Sequence, residues 1–297
     1  MLADQLRRLF EIGKHPLRFT GSTTQQDDGF TVETLSFATA DGERVRGILT
    51  RPPTNDRPLP AILYIHAHGD RYDIGASELL DGRPALQSPL GPVFAHAGYL
   101  TLAIDLPCFG ERSADKEQPT TKALLWRGRS LAGKMLGELS SALDYLAARR
   151  DVDAGRIGVF GISMGATFGY WLAAVEPRLT CVMHLCCFAD FAKLIETGAH
   201  NLHGIYLTVP GLLEAAGNGE IAGLIAPRPQ LVCIGDRDPL TPPHAFDPAF
   251  AQLSAAYEKA GASEKLALHR EAETGHQESA AMRERVLRFA AAHLRRH

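Results

Sequence analysis

Apolar and polar positions alternate along this chain on two length scales. Short apolar runs stand at residues 61–65, 100–104, 156–160, 180–185 and 230–234. Runs this short and continuous suit strands buried on both faces of a parallel sheet. Residues 130–150, 164–175, 245–260 and 278–294 instead carry apolar residues at helical spacing. Strand, crossover helix and parallel strand, repeated, predict an α/β domain with a mostly parallel central sheet flanked by helices. Upstream, residues 3–12 read as a short amphipathic helix and residues 20–29 as a polar loop. Residues 30–37 and 45–49, either side of an Asp41-Gly42 turn, read as a β-hairpin. A Pro-rich linker at 51–60 follows it, and residues 266–270 are a plausible last strand.

The pattern needs only one core, so residues 1–297 are expected to form a single domain with an N-terminal helix and loop over 1–29. Two stretches interrupt the alternation, residues 106–127 and 188–228. Both follow strands, so they should lie as irregular, lid-like insertions over the carboxyl edge of the sheet, where such folds bind ligands. The second contains Phe188, Phe191, Leu194, Ile205, Tyr206, Leu207 and Leu212, enough apolar surface to line a pocket or bury an interface. Oligomeric state stays open at this level.

Composition removes several classes. With 45% apolar and 22% charged residues the chain is ordinary globular protein. Its 31 Lys+Arg against 34 Asp+Glu leave a net charge of −3. Nucleic acid and anionic membrane would both favour a basic excess, so neither is expected as a partner. The five cysteines form no CxxC pair and sit mostly in or beside apolar runs, which fits reduced thiols. No stretch has signal-peptide or membrane-span character. The expected location is the cytoplasm.

The chemistry starts at Gly161-Ile-Ser163-Met-Gly165, a G-x-S-x-G pattern. Its placement matters more than its letters, because it follows one predicted strand directly and opens a predicted helix. A sharp strand-to-helix turn strains the serine backbone and lifts its Oγ clear of the sheet. The flanking glycines are required because a Cβ there would strike the neighbouring strand or helix. The same turn aims the Met164 backbone N–H, at a helix N-terminus, toward a developing oxyanion. A serine nucleophile needs a base, and the base an orienting acid. Gly235-Asp236-Arg237-Asp238-Pro239 ends the strand at 230–234 and offers two acids. Asp236 could brace Arg237 or a cap, whereas Asp238 reaches further into the loop and is favoured. His276, in Glu273-Thr-Gly-His-Gln277, lies on the loop that should carry the base; His269 falls within a strand and His293 within a helix.

Tyr64-Ile-His66-Ala67-His68-Gly69-Asp70-Arg71 follows the strand at 61–65, where the second oxyanion donor should lie. The backbone N–H of His68 is preferred, with Asp70 the alternative. A rival reading treats His66, His68 and Asp70 as metal ligands, since His-Ala-His-Gly-Asp is similar to the start of the H-x-H-x-D-H signature of the metallo-β-lactamase fold. Here Arg71 occupies the sixth position, and the α/β alternation does not suit that fold. His200 and His203 form a second pair without a carboxylate partner and read as polar surface.

Asp105-Leu-Pro-Cys-Phe-Gly-Glu-Arg112 should shape one wall of the pocket, with Glu111 and Arg112 as an internal ion pair. Together with Gly161-Ile-Ser-Met-Gly165, Ala226-Pro-Arg-Pro229 and Gly235-Asp-Arg-Asp-Pro239, it makes the chain resemble the α/β-hydrolase superfamily over about residues 30–295. Within that superfamily it looks most like the dienelactone-hydrolase and acetyl-xylan-esterase group. True dienelactone hydrolases carry a cysteine nucleophile where this chain has Ser163. The resemblance implies an esterase that needs no cofactor and acts on a small soluble ester, with Ser163 as nucleophile, His276 as base and Asp238 as its orienter. A peptidase or amidase would use the same three residues. A metal-dependent hydrolase would use the His66–Asp70 loop instead.

Overall fold

A computed structural model describes residues 1–53 and 57–295. Nine strands form one sheet in the order β1-β2-β3-β5-β4-β6-β7-β8-β9. They are β1 Arg18–Asp27, β2 Phe30–Ala38, β3 Arg44–Arg51, β4 Leu59–Ile65, β5 Leu100–Ile104, β6 Val152–Ile162, β7 Leu179–Leu185, β8 Gln230–Gly235 and β9 Leu266–Glu271. The pairs from β1 through β3 to β5 are antiparallel; those from β5 through β4 to β9 are parallel. The helices are α1 Leu2–Leu9, α2 Glu78–Asp81, α3 Leu90–His96, α4 Glu117–Leu125, α5 Leu131–Ala148, α6 Met164–Val175, α7 Phe191–Thr197, α8 Leu212–Ala215, α9 Asn218–Gly223, α10 Pro243–Lys259 and α11 Ala280–Leu294. One apolar cluster on the sheet packs with α5 and α6, another with α3 and α11. No helix among the described residues is long and apolar enough to cross a membrane.

Chain order reverses at β4, which pairs with β5 on one side and β6 on the other. That reversal sends the following connections to opposite faces and opens a crevice at the carboxyl ends of the strands, the usual ligand position in such sheets. The register sets Ile65 beside Gly161, so the histidine-rich loop and the serine turn leave the sheet side by side.

Several sequence expectations need correction. Residues 20–27 are a strand, not a loop. β1 is an edge strand exposed along nearly its whole length, so it shows no apolar alternation, and it forms because β2 supplies a paired edge. The insertions are not irregular. The first contains α4, and the second contains α7, α8, α9 and two 3₁₀ turns, each too short to establish a periodic signal. Helices α2 and α3, of 4 and 7 residues, are too short to show a helical period in the sequence. Part of the linker at 51–60 lies outside the described residues.

Candidate active site

Ser163 sits between β6 and α6 with φ 60° and ψ −122°, a left-handed conformation rarely adopted by a side-chain-bearing residue. The turn tolerates it because both neighbouring glycines leave room. A Cβ on Gly161 would run into the Gly165 carbonyl, and one on Gly165 into the Ile65 carbonyl at the end of β4. Every residue of α6 is buried. Phe10 stacks on Trp171 at 5.1 Å, and Arg7 donates to the Val175 carbonyl. Arg228 donates to the Ala173, Glu176 and Leu179 carbonyls, satisfying the far end of the helix.

The strand-end residues singled out by sequence meet here. His276 Nε2 lies 2.9 Å from Ser163 Oγ, and its Nδ1 lies 2.7 Å from Asp238 Oδ2. Asp238 is buried, and its other oxygen accepts the Leu240 N–H at 2.9 Å. Asp236, the competing acid, is instead held by Arg270 at 2.6 Å. Arg237 pairs with Glu273.

The loop after β4 is fixed by buried polar groups from elsewhere in the chain. The Ala67 N–H donates to the Glu78 carboxylate, its carbonyl accepts from Arg83 Nη2, and Glu78 and Arg83 pair with one another. His66 is fully buried; Nδ1 donates to the Ala67 carbonyl and Nε2 accepts the Leu106 N–H. Burial pushes its imidazole down to about 4, so the ring is neutral. His68 Nδ1 accepts the Asp70 N–H at 3.1 Å, and its Nε2–H donates to Glu117 at 2.6 Å. Burial opposes ionisation of Glu117, but hydrogen bonds from His68 and Tyr72 outweigh it and hold the carboxyl below the ordinary range. The Asp70 N–H, committed to His68, is therefore not free to bind an oxyanion. No acceptor within the described residues takes the backbone N–H of His68 or Met164.

These same bonds answer the metal reading. Both ring nitrogens of His66 and of His68 are occupied by protein partners, and the Asp70 carboxylate, 3.4 Å from His68 Nδ1, is 97% exposed. Among the described residues no group of three His, Cys, Asp or Glu could hold a metal ion.

A cleft of about 550 Å³ opens between the loop after β4 and the two insertions, and Ser163, Asp238 and His276 are not among its lining residues. His68, Tyr72 and Glu117 line it from one side, and Phe191, Leu194, Ile195, Ile205 and Leu207 from the second insertion. His200 and His203 also line it, with His203 Nε2 donating to the Leu240 carbonyl. Hollows of about 600 and 810 Å³ elsewhere include none of these residues. The 105–112 loop stands behind the wall and not in it, with Phe109 packed on His66, His68 and Tyr72. Glu111 and Arg112 do not pair together. Arg112 binds Glu43 and Glu138, while Glu111 faces Arg44 and Arg46. Glu78, Arg83 and Glu117 were missed by sequence reasoning, because no spacing links them to the loop they brace.

A mostly parallel sheet carrying a strained serine at a strand-to-helix turn defines a protein of the α/β-hydrolase class. Within that class the chain belongs to the X-Pro dipeptidyl-peptidase (S15) family, whose profile matches residues 41–219. It is 35% identical over 295 residues to the Bacillus subtilis (strain 168) "Putative hydrolase YtaP", covering 97% of this chain and 98% of that one. Among solved structures, an acetyl xylan esterase from Paenibacillus sp. R4 superimposes with a TM-score of 0.73 at 21% identity, covering 98% of this chain and 93% of the other. A glucuronoyl esterase from Solibacter usitatus gives 0.67 at 15% identity, covering 97% and 91%.

Proposed function

We propose that the protein is a serine hydrolase that cleaves a carboxylic ester of a small substrate through an acyl-enzyme on Ser163. The observation that carries this reading is the continuous hydrogen-bonded chain from the strained Ser163 through His276 to buried Asp238. His276 Nε2 takes the Ser163 proton as Oγ attacks the ester carbonyl, and Asp238 holds Nδ1–H so that Nε2 is the basic nitrogen. The free N–H groups of Met164 and His68 receive the oxyanion. The alcohol leaves with the proton carried by His276, and water deacylates the serine by the same route. Glucuronoyl and acetyl xylan esterases share this fold, which supports an ester as substrate.

The family's name favours a second reading, a peptidase acting with the same three residues. A panel of p-nitrophenyl esters against X-Pro p-nitroanilides separates them. The ester reading expects turnover of the esters and none of the anilides; measurable hydrolysis of an X-Pro p-nitroanilide, absent from Ser163→Ala, would establish the peptidase. The nucleophile is tested by intact mass after a fluorophosphonate probe. One adduct per chain, on the peptide containing Ser163 and absent from Ser163→Ala, is expected. Ester hydrolysis at wild-type rate in Ser163→Ala would overturn the mechanism.

A further inference from the structure

Glu117 lies on α4 in the first insertion, 49 residues from His68, yet its carboxylate reaches the buried His68 ring at 2.6 Å. Tyr72 Oη donates to the same carboxylate oxygen at 3.1 Å. The imidazole is held on its faces and edges as well. Tyr206, from the second insertion, stacks nearly parallel to it at 4.9 Å, and Tyr72 and Phe109 pack edge-on at 5.1 and 5.2 Å. The ring's other nitrogen accepts the Asp70 N–H, so the side chain bridges the loop's own backbone to the insertions. Gly69 and Asp70 both take left-handed φ, 53° and 54°, a tight turn that Asp70 adopts against its steric preference. The planar peptide that carries the His68 N–H is held at its Ala67 carbonyl by Arg83 and His66, and the His68 side chain anchors its other end.

We infer that Glu117 is a positioning residue for the oxyanion hole: through the His68 imidazole it anchors the Cα end of the peptide whose N–H is the His68 donor, the end that Arg83 and His66 do not hold. This rests on the reading of Ser163 as nucleophile. Both insertions then do more than enclose the cleft, since one supplies the acceptor and the other the stacking face that orient a transition-state donor. Donors of this kind act by being fixed in advance where charge develops, so a donor that swings loses its effect on the transition state while substrate binding changes little.

The test compares Glu117→Ala, Glu117→Leu and Glu117→Gln in the full-length protein. Steady-state hydrolysis of a p-nitrophenyl ester is measured beside inhibition by an aryl boronic acid, whose serine adduct places an oxygen in the oxyanion position. Glu117→Ala is expected to lower kcat by roughly tenfold to a hundredfold, below the 10²–10³ seen when an oxyanion donor is removed outright. KM should stay within about twofold, and the boronate Ki should rise by the factor that kcat/KM falls. Glu117→Gln retains a carbonyl acceptor for His68 Nε2–H and should recover most of the rate. Glu117→Leu fills the same space without an acceptor; it should behave as the alanine variant and replaces it if that variant does not fold. Unchanged kcat and boronate Ki in the Ala or Leu variant would overturn the inference. So would a loss confined to KM with boronate binding intact, which would make Glu117 a substrate contact. Absence of a fluorophosphonate adduct on the wild-type Ser163 would instead count against the nucleophile itself.

Discussion

At the scale of single residues, the clearest consequence concerns Asp238. One of its oxygens faces His276 Nδ1 and the other accepts the Leu240 N–H. In Asp238→Asn the amide carbonyl can keep the Leu240 bond, while the NH₂ turns toward Nδ1 and forces the ring into the tautomer with its proton on Nε2. That nitrogen can no longer take the Ser163 proton. With the fold undisturbed, kcat should fall by about 10⁴, the scale seen when a triad aspartate is so replaced. Ester turnover measured beside thermal unfolding checks this; a lost rate with unchanged melting is the expected pair. Asp236, although nearer the strand end, is bound to Arg270 and takes no part in that chain.

At the scale of elements, the serine turn depends on a helix with no solvent-facing side, α6, and on what covers it. Part of that cover is the N-terminal segment, with Phe10 fully buried against Trp171. Phe10→Ala removes an aromatic side chain from a site that cannot fully collapse around the rigid indole. A loss of roughly 3–5 kcal/mol is expected, within the usual range for a buried phenylalanine. Urea denaturation followed by tryptophan fluorescence measures it; a loss under 1 kcal/mol would mean that the N-terminal segment is not an integral part of the core. The insertions obey the same logic. Phe191 and Ile205 line the cleft, Leu194 and Leu207 line it while being buried, and Phe188, Tyr206 and Leu212 are buried away from it, so these segments serve both pocket and core.

For the whole molecule, the buried histidines set the response to acid. Burial pushes His66 down to about 4 and His184 down to about 3, both below the ordinary value near 6.5. The unfolded chain therefore takes up these protons first, and protonation favours unfolding. Stability is fully present above about pH 6.5 and is lost as the pH falls toward the folded-state values. Each histidine contributes about 1.4 kcal/mol per pH unit, so the pair should cost about 4–5 kcal/mol between pH 6.5 and 4.5. Carboxylates held low in the fold, such as Glu11 and Glu33, add to the loss only toward the acid end of that window. His203 and His293 are also held below the ordinary value, burial being the first cause, and add to the slope. Urea midpoints across the window measure it, and His184→Gln, which can still accept from Gln230, should reduce it. An unchanged slope in that variant would show that His184 is not buried neutral.

What was legible in sequence was local. Short apolar runs, helical spacing and the glycines at 161 and 165 each express a constraint acting within a few residues, and a strand end marks where a functional loop begins. That was enough to predict a mostly parallel α/β sheet and to single out Ser163, Asp238 and His276, which the structure brings into one hydrogen-bonded chain, while the α/β-hydrolase fold came from the resemblance of four motifs to that superfamily. Strand β1 was not legible, because an edge strand made of polar residues is stabilised by a neighbour and not by its own pattern. The choice between His68 and Asp70 was not legible either. It turns on which backbone N–H is already bonded, and in the fold the Asp70 N–H is the one that donates to the His68 ring. Glu78, Arg83 and Glu117 could be recognised only after folding, because a buried charge has no sequence period and is tolerated only where a distant partner arrives to meet it.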